Sequence, residues 1–159
     1  MPLPVGAKAP DFTLKSRKNG TFQDVTLSDN FGKANAVILF FPGAFTTPCT
    51  AEMCDVRDRM NHFAGLNAQV YGISVDSAFA QEAWAEREQL TFPLLSDYKR
   101  EITNAYGVVN PDLAGMGPSA ARAAFVIDKE GVIRYSEQTQ TLGEMPNFAA
   151  IDAILEQIS

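Results

Sequence analysis

The chain has 159 residues, of which 46% are apolar and 20% charged, with a net charge of −6 and a pI near 4.7. This length and apolar content exclude a disordered chain and favour one domain with its own core, which we expect over residues 1–159. The acidic pI disfavours binding to nucleic acid or to an anionic membrane, because both need basic patches.

Neither a membrane span nor a secretory signal is expected. The longest apolar run covers only residues 36–41, whereas a spanning helix needs about 20 apolar residues. The opening segment MPLPVGAKAP lacks the apolar stretch of a signal peptide. We therefore expect a reducing cytoplasm, where a close pair of cysteines such as Cys49 and Cys54 is more often catalytic or metal-binding than structural.

Predicted strands and helices alternate along the chain. Asn19-Gly20 is a hairpin signal between two short strands, and the apolar run 36–41 is typical of a central strand covered on both faces. The predicted strands are residues 12–14, 22–27, 36–41, 70–75, 92–95, 123–127 and 132–135. Helices are predicted from Thr47, over 77–89 with Phe79, Ala83 and Leu90 along one side, over 101–106, and near the C-terminus through Ile151, Ile154, Leu155 and Ile158.

This order predicts the fold class α/β. Two parallel crossovers, followed by an antiparallel hairpin and a last helix, give a mixed central sheet with helices on both faces. Together with the N-terminal β-hairpin, the arrangement is typical of a thioredoxin-like fold.

Cys49 stands in the first turn of a predicted helix, directly after the central strand. Thr47 is expected to cap this helix, with Pro48 as its first residue. Unpaired N–H groups and the helix dipole stabilise a thiolate there, and the thiolate is the reactive form of cysteine. The apolar stripe Cys49, Met53, Val56, Met60 and Phe63 turns the thiol toward the core. The alternative is a structural buried cysteine.

Cys54 follows Cys49 by five residues on the same predicted helix. In an intact helix their Cα atoms are about 8.7 Å apart, and a disulfide needs roughly 4.4–6.8 Å. A bond between the two cysteines therefore requires the first turns of the helix to unravel. The alternative is that Cys54 is an inert small apolar residue.

Four segments carry a resemblance to a known family. They are PGAFTTPC at 42–49, RAAFVIDKEGVI at 122–133, APDFTL at 9–14 and FPLLSD at 92–97. The first contains Pro, three residues, Thr, two residues and Cys, which is the active-site pattern of the peroxiredoxins. The chain therefore resembles a peroxiredoxin of the AhpC/TSA superfamily over nearly its whole length.

The subgroup stays open on the sequence. The spacing of Cys49 and Cys54 is similar to that of the bacterioferritin-comigratory (PrxQ-type) group, in which the second cysteine resolves the first. Residues 92–135 are closer to the one-cysteine AhpE-like group, and residues 42–46 resemble the peroxiredoxin-5 group.

The resemblance implies a thiol-dependent peroxidase acting on hydrogen peroxide and organic hydroperoxides. It makes Cys49 the peroxidatic residue, oxidised to a sulfenic acid. Thr46, Arg122 and backbone N–H groups are implied to stabilise the developing charge. Pro42 is implied to limit access of water to the sulfur.

Two further roles follow from the same resemblance. Cys54 is implied to resolve the sulfenic acid as an intramolecular disulfide, which a thioredoxin- or glutaredoxin-like protein reduces. Glu52 is implied to orient Arg122, with a plain surface position as the alternative. No metal or organic cofactor is implied. A homodimer is implied, with Phe45, Phe79 and Tyr106 as candidate interface residues.

The sequence leaves other functions open. A thiol–disulfide oxidoreductase on the same fold would want Cys-x-x-Cys at the helix start, and a redox-relay binder would use the thiols as a sensor. A metal site is weakly supported, because His62 is the single histidine and a zinc site needs four ligands. Trp84 is interpreted as a packing residue.

Overall fold

The computed structural model describes all 159 residues. The strands are β1 Thr13–Lys18, β2 Thr21–Thr26, β3 Asn35–Phe40, β4 Ala68–Ser74, β5 Leu94–Ser96, β6 Val109–Asn110, β7 Ser119–Ala120, β8 Ala123–Ile127 and β9 Ile133–Gln138. The helices are α1 Thr47–Asp58, α2 Met60–Gly65, α3 Ala78–Glu88, α4 Glu101–Ala105 and α5 Phe148–Ile158, with a 3-10 helix at Leu27–Asn30.

Seven strands form one mixed sheet in the order β2-β1-β5-β4-β3-β8-β9. β3 and β5 pair with β4 in parallel, and all other neighbours in the sheet are antiparallel. All six residues of the central strand β3 are buried, as the continuous apolar run predicted. The predicted mixed sheet and N-terminal hairpin are confirmed, whereas the short pair β6 and β7 was not predicted.

Each face of the sheet carries its own apolar core. The core on one face joins the sheet to α1, α2, α3 and α5, and it includes Met53, Phe63, Trp84 and Leu155. The core on the other face is covered by the N-terminal segment, the 3-10 helix and α4, and it includes Phe12, Leu27, Tyr106 and Phe125. Helices therefore cover both faces, as predicted, and α1 begins at the edge where β3 ends.

Two local features of the helices differ from the predictions. The residues from Cys49 to Phe63 lie on two helices rather than one, because Arg59, with φ of −106° and ψ of 10°, ends α1 and starts α2. The apolar stripe itself still faces the core. The predicted apolar side of α3 is wrong, because Phe79 is 61% exposed. The buried positions of this helix are Ala78, Gln81 and Trp84. Gln81 is buried because its side-chain amide donates to the Ser74 hydroxyl and to the Leu95 carbonyl, both at 2.9 Å.

Tyr106 is a core residue. Its side chain is fully buried, its hydroxyl donates to the Pro10 carbonyl at 2.7 Å, and its ring packs against Phe40 and Phe125. The expectation that it contributes to a subunit contact is therefore wrong, because a core position satisfies both its ring and its hydroxyl. None of the helices has the length and apolar character needed to cross a membrane.

Candidate active site

Cys49 is placed by the turn between β3 and α1. Thr46 is the N-cap, with an extended φ of −79° and ψ of 151°, and its carbonyl accepts the Thr50 N–H at 2.9 Å. The predicted cap at Thr47 is therefore one residue late, and Pro48 is the second helical residue rather than the first. Cys49 occupies the first turn, where backbone N–H groups lack helical partners.

The loop before α1 is held by contacts within itself and to β4. The Thr46 hydroxyl donates to the Gly43 carbonyl at 2.9 Å. The carboxylate of Asp76 accepts the Ala44 N–H at 2.8 Å and the Ser74 hydroxyl at 2.7 Å on the same oxygen. Sequence reasoning missed Asp76, although a carboxylate just past the carboxyl end of a buried strand is a signal for the functional edge of such a sheet.

Phe45 adopts a left-handed backbone conformation, with φ of 67°. Bulky residues rarely occupy this region, so the conformation has to be imposed by its surroundings. Its ring lies 6.4 Å from the Trp84 ring, while 47% of the residue remains exposed. The turn that presents Cys49 is therefore strained and fixed by its neighbours.

Arg122 reaches Cys49 from the segment between β7 and β8. It is 1% exposed, and its Nη2 lies 3.1 Å from the Cys49 sulfur. Nη1 donates to Glu52 Oε1 at 2.5 Å, and Nε donates to the Leu142 carbonyl at 3.0 Å. Because all three guanidinium nitrogens are engaged, the group has one orientation, aimed at the sulfur.

Glu52 lies one helical turn after Cys49 and is buried, at 1% exposure. The surface alternative for this residue is therefore wrong. Burial raises the pKa of its carboxyl from the usual 4.5 to about 7, although Arg122 opposes this shift. Its second oxygen, Oε2, has no hydrogen-bond partner. The ion pair with Arg122 is thus fully desolvated, and such pairs depend on good geometry to offset the loss of hydration.

Cys49 and Pro42 both lie inside the protein surface. Cys49 is 1% exposed and packs in the core with Met53, Val56 and Phe63, as the apolar stripe predicted. Pro42 is buried at the end of the central strand. Two surface cavities lie beside the β1–β2 hairpin, and Cys49 lines neither of them.

Cys54 remains separate from Cys49. Both cysteines are free thiols on the continuous helix α1. The Cys54 sulfur donates to Glu88 Oε2 on α3 at 3.6 Å. Burial and the carboxylate of Glu88 raise the pKa of the Cys54 thiol, while Arg57 opposes this shift.

Trp84 is a packing residue, as predicted. It is fully buried, its ring lies 5.3 Å from that of Phe41, and its indole N–H donates to the Thr50 hydroxyl at 3.2 Å. His62 lies on α2, not on the helix of Cys54, and its Nε2 is 3.1 Å from Asp152 Oδ1. The chain contains no group of three His, Cys, Asp or Glu side chains placed to hold a metal ion.

Comparison with known proteins decides the family. The model of the AhpC/TSA family matches residues 5–136. The chain belongs to the AhpC/TSA family. This membership confirms the predictions of a peroxiredoxin, of its thioredoxin-like fold and of a thiol-dependent peroxidase.

Several relatives resemble this peroxiredoxin over most of their length. The chloroplastic 2-cysteine peroxiredoxin of Chattonella marina is 40% identical over 143 residues, which cover 86% of this chain and 71% of the relative. The alkyl hydroperoxide reductase E of Mycobacterium tuberculosis is 40% identical over 140 residues, covering 87% of both chains. The crystal structure of the reduced 2-Cys peroxiredoxin of Plasmodium vivax aligns with a TM-score of 0.87 at 26% identity, covering 98% of this chain and 81% of that one.

Proposed function

We propose that this peroxiredoxin reduces hydrogen peroxide and organic hydroperoxides with Cys49 as its peroxidatic residue. The observation that carries the proposal is the 3.1 Å contact between Arg122 Nη2 and the buried Cys49 sulfur. A permanently charged guanidinium at that distance compensates a negative charge on sulfur, and the thiolate is the nucleophile in such reactions.

The reaction moves negative charge from sulfur to oxygen. The Cys49 thiolate attacks the terminal oxygen of the hydroperoxide, so an S–O bond forms while the O–O bond breaks. The departing oxygen takes a proton and leaves as water or an alcohol, and Cys49 becomes a sulfenic acid. Donors that already point at the reacting atoms stabilise the charge without reorganising. The contacts with Glu52 and with the Leu142 carbonyl hold the Arg122 guanidinium in such an orientation.

Thr46 and Pro42 complete the proposed site. Because the Thr46 hydroxyl donates its hydrogen to the Gly43 carbonyl, its oxygen remains able to accept a hydrogen bond from a hydroperoxide O–H. Pro42 is buried beside the loop and offers no N–H to water. Thr46 therefore orients the substrate, and Pro42 limits the access of water to the sulfur.

Cys54 is the proposed resolving residue. Its thiolate attacks the sulfenic sulfur of Cys49, a disulfide forms, and hydroxide leaves and is protonated to water. An intact helix holds the two Cα atoms about 8.7 Å apart, so α1 has to open before the bond can form. A thioredoxin- or glutaredoxin-like dithiol protein then reduces the disulfide by exchange.

The proposed assembly is a homodimer that works in a reducing compartment, the cytoplasm. Phe45 and Phe79 support a subunit contact, because these two aromatic residues are 47% and 61% exposed. The close pair of cysteines supports a reducing compartment, where such a pair is more often catalytic than structural.

Peroxide consumption by cysteine variants tests the proposal. With dithiothreitol as reductant, the wild-type chain and Cys54→Ser should consume hydrogen peroxide and an organic hydroperoxide, because the small dithiol can reduce Cys49 directly. Cys49→Ser should lose this activity. Turnover by Cys49→Ser at the wild-type rate would overturn the assignment of Cys49.

A further inference from the structure

Glu88 ends α3 at a position that is electrostatically unfavourable for a carboxylate. The C-terminal end of a helix carries partial negative charge, and the Glu88 side chain is only 19% exposed. Three groups compensate for this placement. Cys54 Sγ donates to Oε2 at 3.6 Å, Arg87 Nε lies 3.2 Å from Oε1, and Arg57 Nη1 donates to the Glu88 backbone carbonyl at 2.5 Å.

These contacts join two helices. Cys54 and Arg57 belong to α1, whereas Arg87 and Glu88 belong to α3. The contacts of Glu88 therefore hold the part of α1 that carries Cys54 against the end of α3. At the other end of α1, Cys49 is held separately, by Arg122.

The contact with Glu88 also fixes the protonation of Cys54. A thiol donates a hydrogen to a carboxylate, whereas a thiolate beside the same carboxylate would be repelled. The charged groups that act on the sulfur are Arg57 and Asp58 on α1 and Glu88 on α3, and Arg87 pairs with the other oxygen of Glu88. Because the thiolate is the attacking form, Cys54 in this position is a poor nucleophile.

We propose that Glu88 is a positioning residue that keeps Cys54 protonated and docked against α3 until α1 opens. The inference rests on the proposed resolving role of Cys54. When α1 opens, Cys54 leaves the carboxylate and gives its proton to solvent. The thiolate then attacks the Cys49 sulfenic sulfur, the S–S bond forms and hydroxide leaves. Glu88 thus delays resolution until the helix has moved.

Alkylation of Cys54 tests the first half of this proposal. In a Cys49→Ser background Cys54 is the single thiol, so its reaction with iodoacetamide can be followed as a function of pH. Adding Glu88→Gln should lower the midpoint by about half to one pH unit, which is about a three- to tenfold faster reaction below the midpoint. Glu86→Gln removes the same charge from an exposed position of α3 and should leave the profile unchanged. Identical profiles for the two variants would overturn the proposal.

The rate of disulfide formation tests the second half. In the chain with both cysteines, one equivalent of hydrogen peroxide followed by acid quench and mass analysis separates oxidation of Cys49 from disulfide formation. Glu88→Gln should leave the first step unchanged and accelerate the second at least threefold, whereas Glu86→Gln should match the wild type. An unchanged second step would overturn the restraint by Glu88 and leave the resolving role of Cys54 intact. If no disulfide forms in any chain, the resolving role fails and the restraint fails with it.

Discussion

The guanidinium of Arg122 lies 3.1 Å from the sulfur of Cys49, although the two residues are 73 positions apart in the chain. The sheet makes this contact possible, because β8, which follows Arg122, pairs with β3, which precedes Cys49. Both residues sit at the same edge of adjacent strands, and both are 1% exposed. The proposed chemistry depends on this alignment.

Replacing Arg122 by Lys should slow oxidation of Cys49 by about a hundredfold, since loss of one preorganised donor typically costs that much. A lysine keeps the charge but cannot bind Cys49, Glu52 and Leu142 with three fixed donors. Stopped-flow oxidation by hydrogen peroxide measures the effect. Arg134→Lys, at a half-exposed ion pair with Asp128, is the control. A rate for Arg122→Lys within threefold of the wild type would contradict the role of the guanidinium.

The titration of Glu52 should appear in the stability of the protein. Burial raises the pKa of its carboxyl from 4.5 to about 7. Between these values the folded chain keeps a proton that the unfolded chain has released. The free energy of unfolding therefore falls as pH rises through this window, by up to about 3 kcal/mol, and no longer changes on this account above it.

Urea unfolding of the wild type and of Glu52→Gln, both fully reduced, measures this dependence between about pH 5 and pH 8. The glutamine variant lacks the titration, so the stability of the wild type minus that of the variant should fall with pH. Subtracting the two chains cancels the other titrating groups. A constant difference would show that the folded carboxyl ionises at its ordinary value, and a difference that rises with pH would show that its pKa is lowered instead; either result would contradict the raised pKa.

Asp76→Ala should loosen the loop that presents Cys49. The substitution leaves the Ala44 N–H and the Ser74 hydroxyl without their shared acceptor. We expect a loss of about 1–3 kcal/mol in the free energy of unfolding and about tenfold slower oxidation of Cys49, because the reacting groups lose alignment. Asp24→Ala, at an exposed ion pair with Lys15, should change neither quantity. Wild-type rates for Asp76→Ala would mean that the loop holds its shape without this carboxylate.

The fluorescence of Trp84 should report the opening of α1. Trp84 is the single tryptophan, and its indole N–H binds Thr50 in the first turn of α1. After one equivalent of peroxide we expect two phases, the first from oxidation of Cys49 and the second from opening and disulfide formation. Cys54→Ser should show the first phase alone. A wild-type disulfide that forms without a second phase would mean that the first turn stays in place.

The sequence was sufficient for the features that depend on local patterns. The apolar run 36–41 predicted the central strand, and the step from that strand to Thr47 and Pro48 predicted α1, which begins at Thr47 and carries Cys49 in its first turn. The cap was displaced by one residue, because backbone angles rather than residue type decide where a helix begins, and both Thr46 and Thr47 can cap.

Features that depend on contacts between distant segments could not be predicted from local patterns. For Glu52 the sequence left two interpretations, a surface position and a contact with Arg122, because Arg122 comes from a distant segment of the chain. Asp76 and Glu88 were missed because each acts on a segment more than thirty positions away. Tyr106 was misassigned because an aromatic residue after a short helix gives no sign of whether it faces the core.

The most direct test of the account is the intact mass and the free-thiol count of the fully reduced chain after one equivalent of hydrogen peroxide. We predict the loss of both thiols and of two hydrogens, with no covalent dimer on a non-reducing gel. Cys54→Ser should instead gain one oxygen on Cys49. Gain of one oxygen by the wild type would contradict the resolving role of Cys54. Two unchanged thiols would contradict the peroxidase chemistry proposed for Cys49.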